Sequence, residues 1–180
     1  MKLHNDNLIF SPSDLILFLE SPFASWMEHF SLISPEALDF KDQDDAMMLM
    51  LQDKGAEHES SVLEGLKRQG LTIEDIGLSS DKKAATIQAM KEGADVVFQA
   101  CLSQDQFTGF ADFLVKVPGS SQLGDYHYEI WDTKLSKSLQ PYYTIQLCCY
   151  QEMIAAIQGR YSNDFVIILG DQTQQRLRTQ

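Results

Sequence analysis

The hydrophobic pattern changes character near Ala94: before it apolar residues recur at helical intervals, and after it they alternate or run together as strands do. Residues 1–10 read as a short strand or arm. A helical pattern follows over 11–30, carrying Leu15, Phe18, Leu19 and Phe23. Ser11 or Ser13 can cap it, Pro12 suits its first turn, and Pro22 breaks or kinks it. The acidic stretch 34–45 reads as a loop or a short turn of helix. A second helix runs from Ala46 to about Gln69 and closes at Gly70, with Met47, Met48 and Met50 read as core residues at its start. A short strand and loop follow. Asp81 then caps a third helix, which ends at Gly93.

In the second half, 94–102 reads as a strand and 103–106 as a turn. Residues 107–117 alternate as a second strand, 118–125 form a turn-rich loop, and 126–135 are a third strand. Gln140-Pro141 opens a helix ended by Gly159, 164–170 is a short apolar strand, and the tail 171–180 has no evident partner. Helices followed by β-β-β-α-β predict an α/β (α+β) fold: a central mixed sheet flanked by helices, with further helices at the N-terminus. The 180 residues suit one domain able to bury its own core. The chain stops soon after its last strand, as a domain excised from a longer protein would.

Composition narrows the setting. No apolar run approaches the ~18–20 residues of a membrane span, and the first residues lack a secretory h-region. The reading is therefore a cytoplasmic protein without a membrane partner. Cys101, Cys148 and Cys149 are odd in number, and the adjacent pair is poorly placed to bridge, so they read as reduced core or near-core thiols. The net charge of −12 argues against nucleic acid, because phosphate binding usually draws on a basic patch. Carboxylates holding a metal would explain part of that charge. Another domain or subunit would have to supply the missing cations.

The candidate chemistry lies on the strands either side of 118–125. In a hairpin centred near Ser121–Gln122, facing residues sum to about 244, so Asp112 lies opposite Asp132 and both point to one face. Lys134, two residues on, shares that face. Two acids facing each other among Phe110, Phe113, Leu114, Ile130 and Trp131 should repel, and such a pair raises one pKa or recruits a cation. Mg²⁺ suits few carboxylate ligands, and an adjacent ammonium can orient water or stabilise developing charge in phosphodiester hydrolysis. A D-x-K triplet alone is a weak signal, since ion pairs on solvated strands are common. The facing aspartate is what strengthens it.

The motifs G-F-A-D (109–112), E-I-W-D-T-K-L (129–135) and Q-L-C-C-Y (146–150) resemble, in order and spacing, the RecB-like branch of the PD-(D/E)XK nucleases. G-A-E-H (55–58) resembles the histidine helix of that family, one residue shorter than its Gly-x-x-x-His. The opening S-P-S-D-L-I-L-F-L-E-S-P-F is similar to the start of bacterial members, and the likeness runs from about Ser11 to Gly170. The resemblance implies a restriction-endonuclease-like core and a deoxyribonuclease, dependent on Mg²⁺ or Mn²⁺, that acts in DNA repair or recombination beside a helicase domain or subunit. It implies Asp112, Asp132 and Lys134 as catalytic residues. His58, Asp112, Asp132 and the Thr133 carbonyl would be metal ligands, and Gln146 and Tyr150 would support the site or touch the substrate. Glu59 projects about 100° from His58 on a helix and is left out of the metal shell. Some relatives bind an iron–sulfur cluster through four cysteines. With three here, two adjacent within a helix, no cluster is expected.

Each residue has a plainer reading. A lone His beside Glu is usually a solvated helix residue, and Gln-x-x-x-Tyr on an amphipathic helix is usually packing. A competing function is an idle nucleic-acid-binding or scaffold module that keeps the nuclease fold. A glycosidase built on the paired acids fits poorly, because it needs no adjacent lysine and requires a sugar cleft between its carboxyls.

Overall fold

A computed structural model describes residues 1–5, 7–34, 36–37 and 46–178. Strands β1 (Lys2–His4) and β2 (Asn7–Ile9) pair as an antiparallel arm. Helix α1 (Pro12–Glu20) starts at Ser11, whose amide donates to the Asp14 carboxylate at 2.7 Å. Pro22 ends that helical run. Ser21 turns extended, accepts from Ala24 N, and starts α2 (Pro22–Ile33). Helix α3 (Ala46–Arg68) is followed by Gly70 in the left-handed conformation a helix end favours. The acidic run Asp39–Asp45 lies outside the described residues.

The rest is a six-stranded mixed sheet with helices on both faces. Its order along the sheet is β3 (Ile73–Asp75), β4 (Val96–Gln104), β5 (Phe107–Ser121), β6 (Gly124–Lys134), β7 (Asp164–Leu169) and β8 (Gln174–Arg178). The β3–β4 and β6–β7 pairs are parallel; the others are antiparallel. On one face α3 sets Val62 and Leu66 against Phe113, Val115, Val166 and Ile168. On the other, α4 (Lys82–Glu92) and α5 (Pro141–Gln158) cover a larger core that includes Leu114, Tyr128, Ile130, Leu147 and Ile154. Buried Gln158 fastens the end of α5 to β6, accepting from Tyr128 N at 2.8 Å and donating to the Arg160 carbonyl at 3.1 Å. The predicted α+β class, with its mixed central sheet and N-terminal helices, is the architecture found.

Several expectations need correcting. The stretch read as a loop at 118–125 is mostly strand, because an irregularity between Pro118 and Ser121 absorbs the extra residue and the turn shrinks to Gln122 and Leu123. The partnerless tail supplies β8, where Leu177 packs against the larger core and Arg176 reaches Glu129 at 2.9 Å and Asp164 at 3.2 Å. Met47, Met48 and Met50 are not core residues. Burial along α3 begins only at His58, and Met47 is 64% exposed. Cys148 is exposed, while Cys101 and Cys149 are half-buried. No helix among the described residues is long and apolar enough to cross a membrane.

Candidate functional site

The β5–β6 ladder keeps the predicted register from Pro118↔Tyr126 to Phe113↔Trp131, then stops. Beyond that point β5 continues against β4 as far as Phe107↔Gln104, while β6 continues against β7 through Asp132↔Ile167, Thr133↔Ile168 and Lys134↔Leu169. The two central strands therefore part at Asp112 and Asp132. A fork leaves backbone donors without ladder partners, and buried donors need acceptors. Here the side chain of Asp112 substitutes for a strand: Thr133 N and Thr133 Oγ1 both donate to its Oδ2 at 2.7 Å. Asp112 Oδ1 has no donor among the described residues.

The fork has a second irregularity on β4. Flanking pairs Phe98↔Phe113 and Ala100↔Ala111 put Gln99 opposite Asp112, and Gln99 has φ +54°, a left-handed conformation rare for a side-chain-bearing residue. Such backbone costs about 1–3 kcal/mol and concentrates at working sites. Its effect is to slip the strand alternation by one, so that Val97 and Leu114 share a core with Ala100 and Ala111. Gln99 Nε2 also donates to the carboxylate of Glu59, reaching in from α3.

Asp132 lies deepest, with its side chain 1% exposed. Lys134 Nζ meets Oδ2 at 2.5 Å as an ion pair, but no aligned hydrogen-bond donor reaches either oxygen among the described residues. Burial, and then the charge of Asp112, push the Asp132 carboxyl up; Lys134 works against them. On Lys134 burial opposes the charge, but Asp132 and Asp112 outweigh it and hold the ammonium protonated. Its Nζ also sits 5.3 Å from the ring centre of Tyr143, at the start of α5. Burial and the Asp112 charge push Glu59 up to about 7, with the Gln99 bond opposing. Three acids and one lysine thus share a poorly hydrated notch, and the acids are undercompensated.

Gln146 and Tyr150 flank the fork from α5. The Tyr150 hydroxyl donates to the Phe110 carbonyl at 2.7 Å, and Gln146 Nε2 lies 3.4 Å from that hydroxyl. Burial raises the Tyr150 phenol above the ordinary range, so it stays a donor. Gly109 explains itself here by space. A Cβ on it would meet Tyr150 Cε1 at 2.8 Å and Pro12 Cδ at 3.0 Å. Gly109→Ala is expected to destabilise the chain by about 1–3 kcal/mol through overpacking and to displace Tyr150 from Phe110. A denaturant titration checks the first effect, and tyrosine fluorescence or the Tyr150 ring NMR signals check the second.

His58 does not join this group. It is buried, but Nε2 lies 3.2 Å from the Ile168 carbonyl and Nδ1 lies 3.2 Å from Gln172 Nε2, so both ring nitrogens are engaged beside β7. With Val62 and Leu66 it forms one stripe at fourfold spacing, the core stripe of α3. Thr133 contributes its amide and hydroxyl to orienting Asp112. The residues missed from sequence are Glu59, Gln99 and Tyr143. A helical wheel would have found Glu59: once His58 belongs to the core stripe, its neighbour is turned toward the sheet's opening.

The donor set is all hard oxygen, the kind that suits Mg²⁺ or Mn²⁺. Asp132 Oδ1, which has no partner among the described residues, Asp112 Oδ1 and the raised Glu59 carboxyl fit such an ion. Among the described residues, no three His, Cys, Asp or Glu side chains are already closed around a common point. In comparisons with known proteins, no family model matches the chain and no curated protein matches it.

Proposed function

We propose that this chain is a metal-dependent nuclease that hydrolyses DNA phosphodiester bonds, with its site at the β5–β6 fork. One observation carries the reading: a fully buried Asp132, paired to Lys134 and under the charge of Asp112 and Glu59, where two central strands separate. A carboxylate this deeply buried, with two further acids acting on it, calls for more positive charge than one lysine supplies. Asp112, Asp132 and Glu59 would hold Mg²⁺ or Mn²⁺. When bound, the ion would supply Lewis-acid polarisation of a phosphoryl oxygen and a more acidic water.

The chain's own groups do the rest. Thr133 fixes Asp112 by two hydrogen bonds, so its free oxygen has one direction. Lys134, kept protonated by Asp132, presents positive charge where a scissile phosphate would gain negative charge. Tyr150 pins the Phe110 carbonyl and so fixes the strand that carries Asp112. The pattern of Gly109 to Asp112, Asp132 to Lys134 and Gln146 to Tyr150 supports the RecB-like PD-(D/E)XK resemblance. A setting in DNA repair or recombination, in the cytoplasm and beside a helicase domain or subunit, belongs to the same proposal. His58 is dropped from the ligand set, and Glu59 takes its place from the same helix.

A second reading is an idle nucleic-acid-binding or scaffold module. It is favoured by the engaged His58 ring and by the absence, among the described residues, of a closed ligand cluster. Incubation of end-labelled DNA with Mg²⁺ or Mn²⁺ separates the two. The nuclease reading expects cleavage that stops in EDTA and rises from about pH 5.5 through 7, as Glu59 loses the proton that competes with metal. No cleavage of single-stranded or duplex DNA with either ion would favour the idle module.

A further inference from the structure

The lysines of this acidic chain are not evenly used. Lys67, Lys116 and Lys134 are tied up in ion pairs with Glu64, Asp95 and Asp132. Lys2, Lys82 and Lys83 form no ion pair among the described residues, yet they gather at one spot. Lys82 and Lys83 open α4 against Phe110 and Ser103 on the paired strands β5 and β4, Lys2 lines the same groove as Phe110, and all three ammoniums act on the Cys101 thiol. Cys101 pairs across the sheet with Phe110, two residues from Asp112. Lys82 Nζ sits 5.3 Å from the centre of the Phe110 ring, Lys83 Nζ donates to Ser103 Oγ at 2.9 Å, and Phe110 is 44% exposed. Asp14, the acid that lines the neighbouring groove, is paired with the N-terminal ammonium.

Beside this ridge runs a groove of about 410 Å³, lined by Lys2, Ser11, Ser13, Phe110 and Tyr150 among others. Tyr150 lines the groove and its hydroxyl donates to the Phe110 carbonyl, two residues before Asp112, so the groove adjoins the strand that carries the fork. The groove has the volume of a small-ligand site, within the ~300–1,000 Å³ range, which suits the nucleotides of one strand better than a duplex.

We propose that Lys2, Lys82 and Lys83, with the exposed ring of Phe110, guide a single nucleic-acid strand along this groove to the Asp112–Asp132 fork. Phosphates lie on the ammoniums and a base lies against Phe110, the pairing of cations and aromatic faces that single strands use. The proposal rests on the nuclease reading for its endpoint. A net of −12 is compatible with nucleic acid where a local group of cations faces it.

The test uses the full chain and fluorescein-labelled oligothymidylate, with anisotropy read in EDTA at several salt concentrations. Lys82→Ala with Lys83→Ala should weaken binding by ~10-fold or more and flatten the salt dependence by roughly one phosphate contact or more, each contact contributing about 0.7 to the slope for single strands. Phe110→Ala should weaken binding with the slope unchanged. Lys67→Ala with Lys91→Ala makes the same charge change elsewhere and should alter affinity less than about two-fold at matched salt. Equal losses from the two lysine pairs, no loss from the first, tighter binding of duplex than of single strand, or no binding by the native chain would each overturn the proposal. Because binding is read without metal, a chain that binds through the ridge but never cuts loses the nuclease reading alone. A chain that cuts with a KM indifferent to Lys82 and Lys83 loses the ridge alone.

Discussion

Asp132→Asn is expected to unfold later than the native chain in EDTA and to cut DNA at least about 1,000-fold more slowly, in line with losses seen when one electrostatic stabiliser is removed from a site. The stability gain follows from the charge inventory of the fork. Removing one member of a buried ion pair usually destabilises, because it strands the other. Here three acids face one lysine, so Lys134 keeps Asp112 and Glu59 nearby when Asp132 is neutralised. Asparagine keeps the shape and removes the charge that burial and Asp112 disfavour. The expected gain at pH 8 is about 1–3 kcal/mol, as for removal of a disfavoured buried charge, or about 2–4 °C per kcal/mol in a chain of this size.

The pH dependence carries the sign. Asp132 and Glu59 have folded pKa values above their unfolded ones, so the folded chain binds more protons between those limits. In chelator, stability should be fullest at acid pH and fall as pH rises from about 4.5 through about 7, then level off, apart from groups shifted the other way such as Asp95. Asp132→Asn should flatten that decline. Thermal melts across pH 4.5–8.5 in EDTA check both points. A variant that melts earlier than the native chain at pH 8 would mean that Asp132 is a net stabiliser and the fork is not strained by charge.

Lys134→Met should behave in the opposite way. It removes the ion-pair partner that buried Asp132 has among the described residues, so in EDTA at neutral pH the chain should lose about 3–5 kcal/mol. The methionine stem still covers Tyr143, which separates loss of charge from loss of packing. Added Mn²⁺ should restore much of the lost stability, because a cation again faces Asp132. Cleavage should stay depressed by about 100- to 1,000-fold, with the loss in kcat, because the positive charge at the reacting phosphate is gone. Lys134→Arg should not rescue it, since a planar fork does not replace a point charge in so tight a notch. A Lys134→Met protein as stable as the native one without metal would argue that the pair is idle.

How much of this was legible in the sequence depends on what encoded it. The β5–β6 register was readable because alternation and two turn-forming ends constrain a hairpin, and pairs such as Leu114↔Ile130 and Val117↔His127 keep it. Helix ends at Ser11, Asp81, Gly93 and Gly159 were readable from local capping chemistry. The opening of the ladder at Asp112 was not, because it is a tertiary event: α3 and Gln99 decide where the strands part. Strand β8 was hidden because QQRLR offers one apolar side chain, and its stability comes from pairing with β7 and from Arg176 meeting buried Glu129. His58 and Glu59 differ by one step on a helix, and the stripe that His58 forms with Val62 and Leu66 is what turns Glu59 away from the core. Met47, Met48 and Met50 read as core by composition, but the side chains of that half of the helix are exposed.

The most direct test of the fork as a cation site is diffraction from a Mn²⁺-soaked crystal, recorded at the manganese absorption edge. One anomalous peak lying within about 2.5 Å of oxygens from both Asp112 and Asp132, with Glu59 as a third neighbour and His58 still bonded to the Ile168 carbonyl, is the expected result. Full manganese occupancy elsewhere, with those two carboxylates left unliganded, would contradict the account.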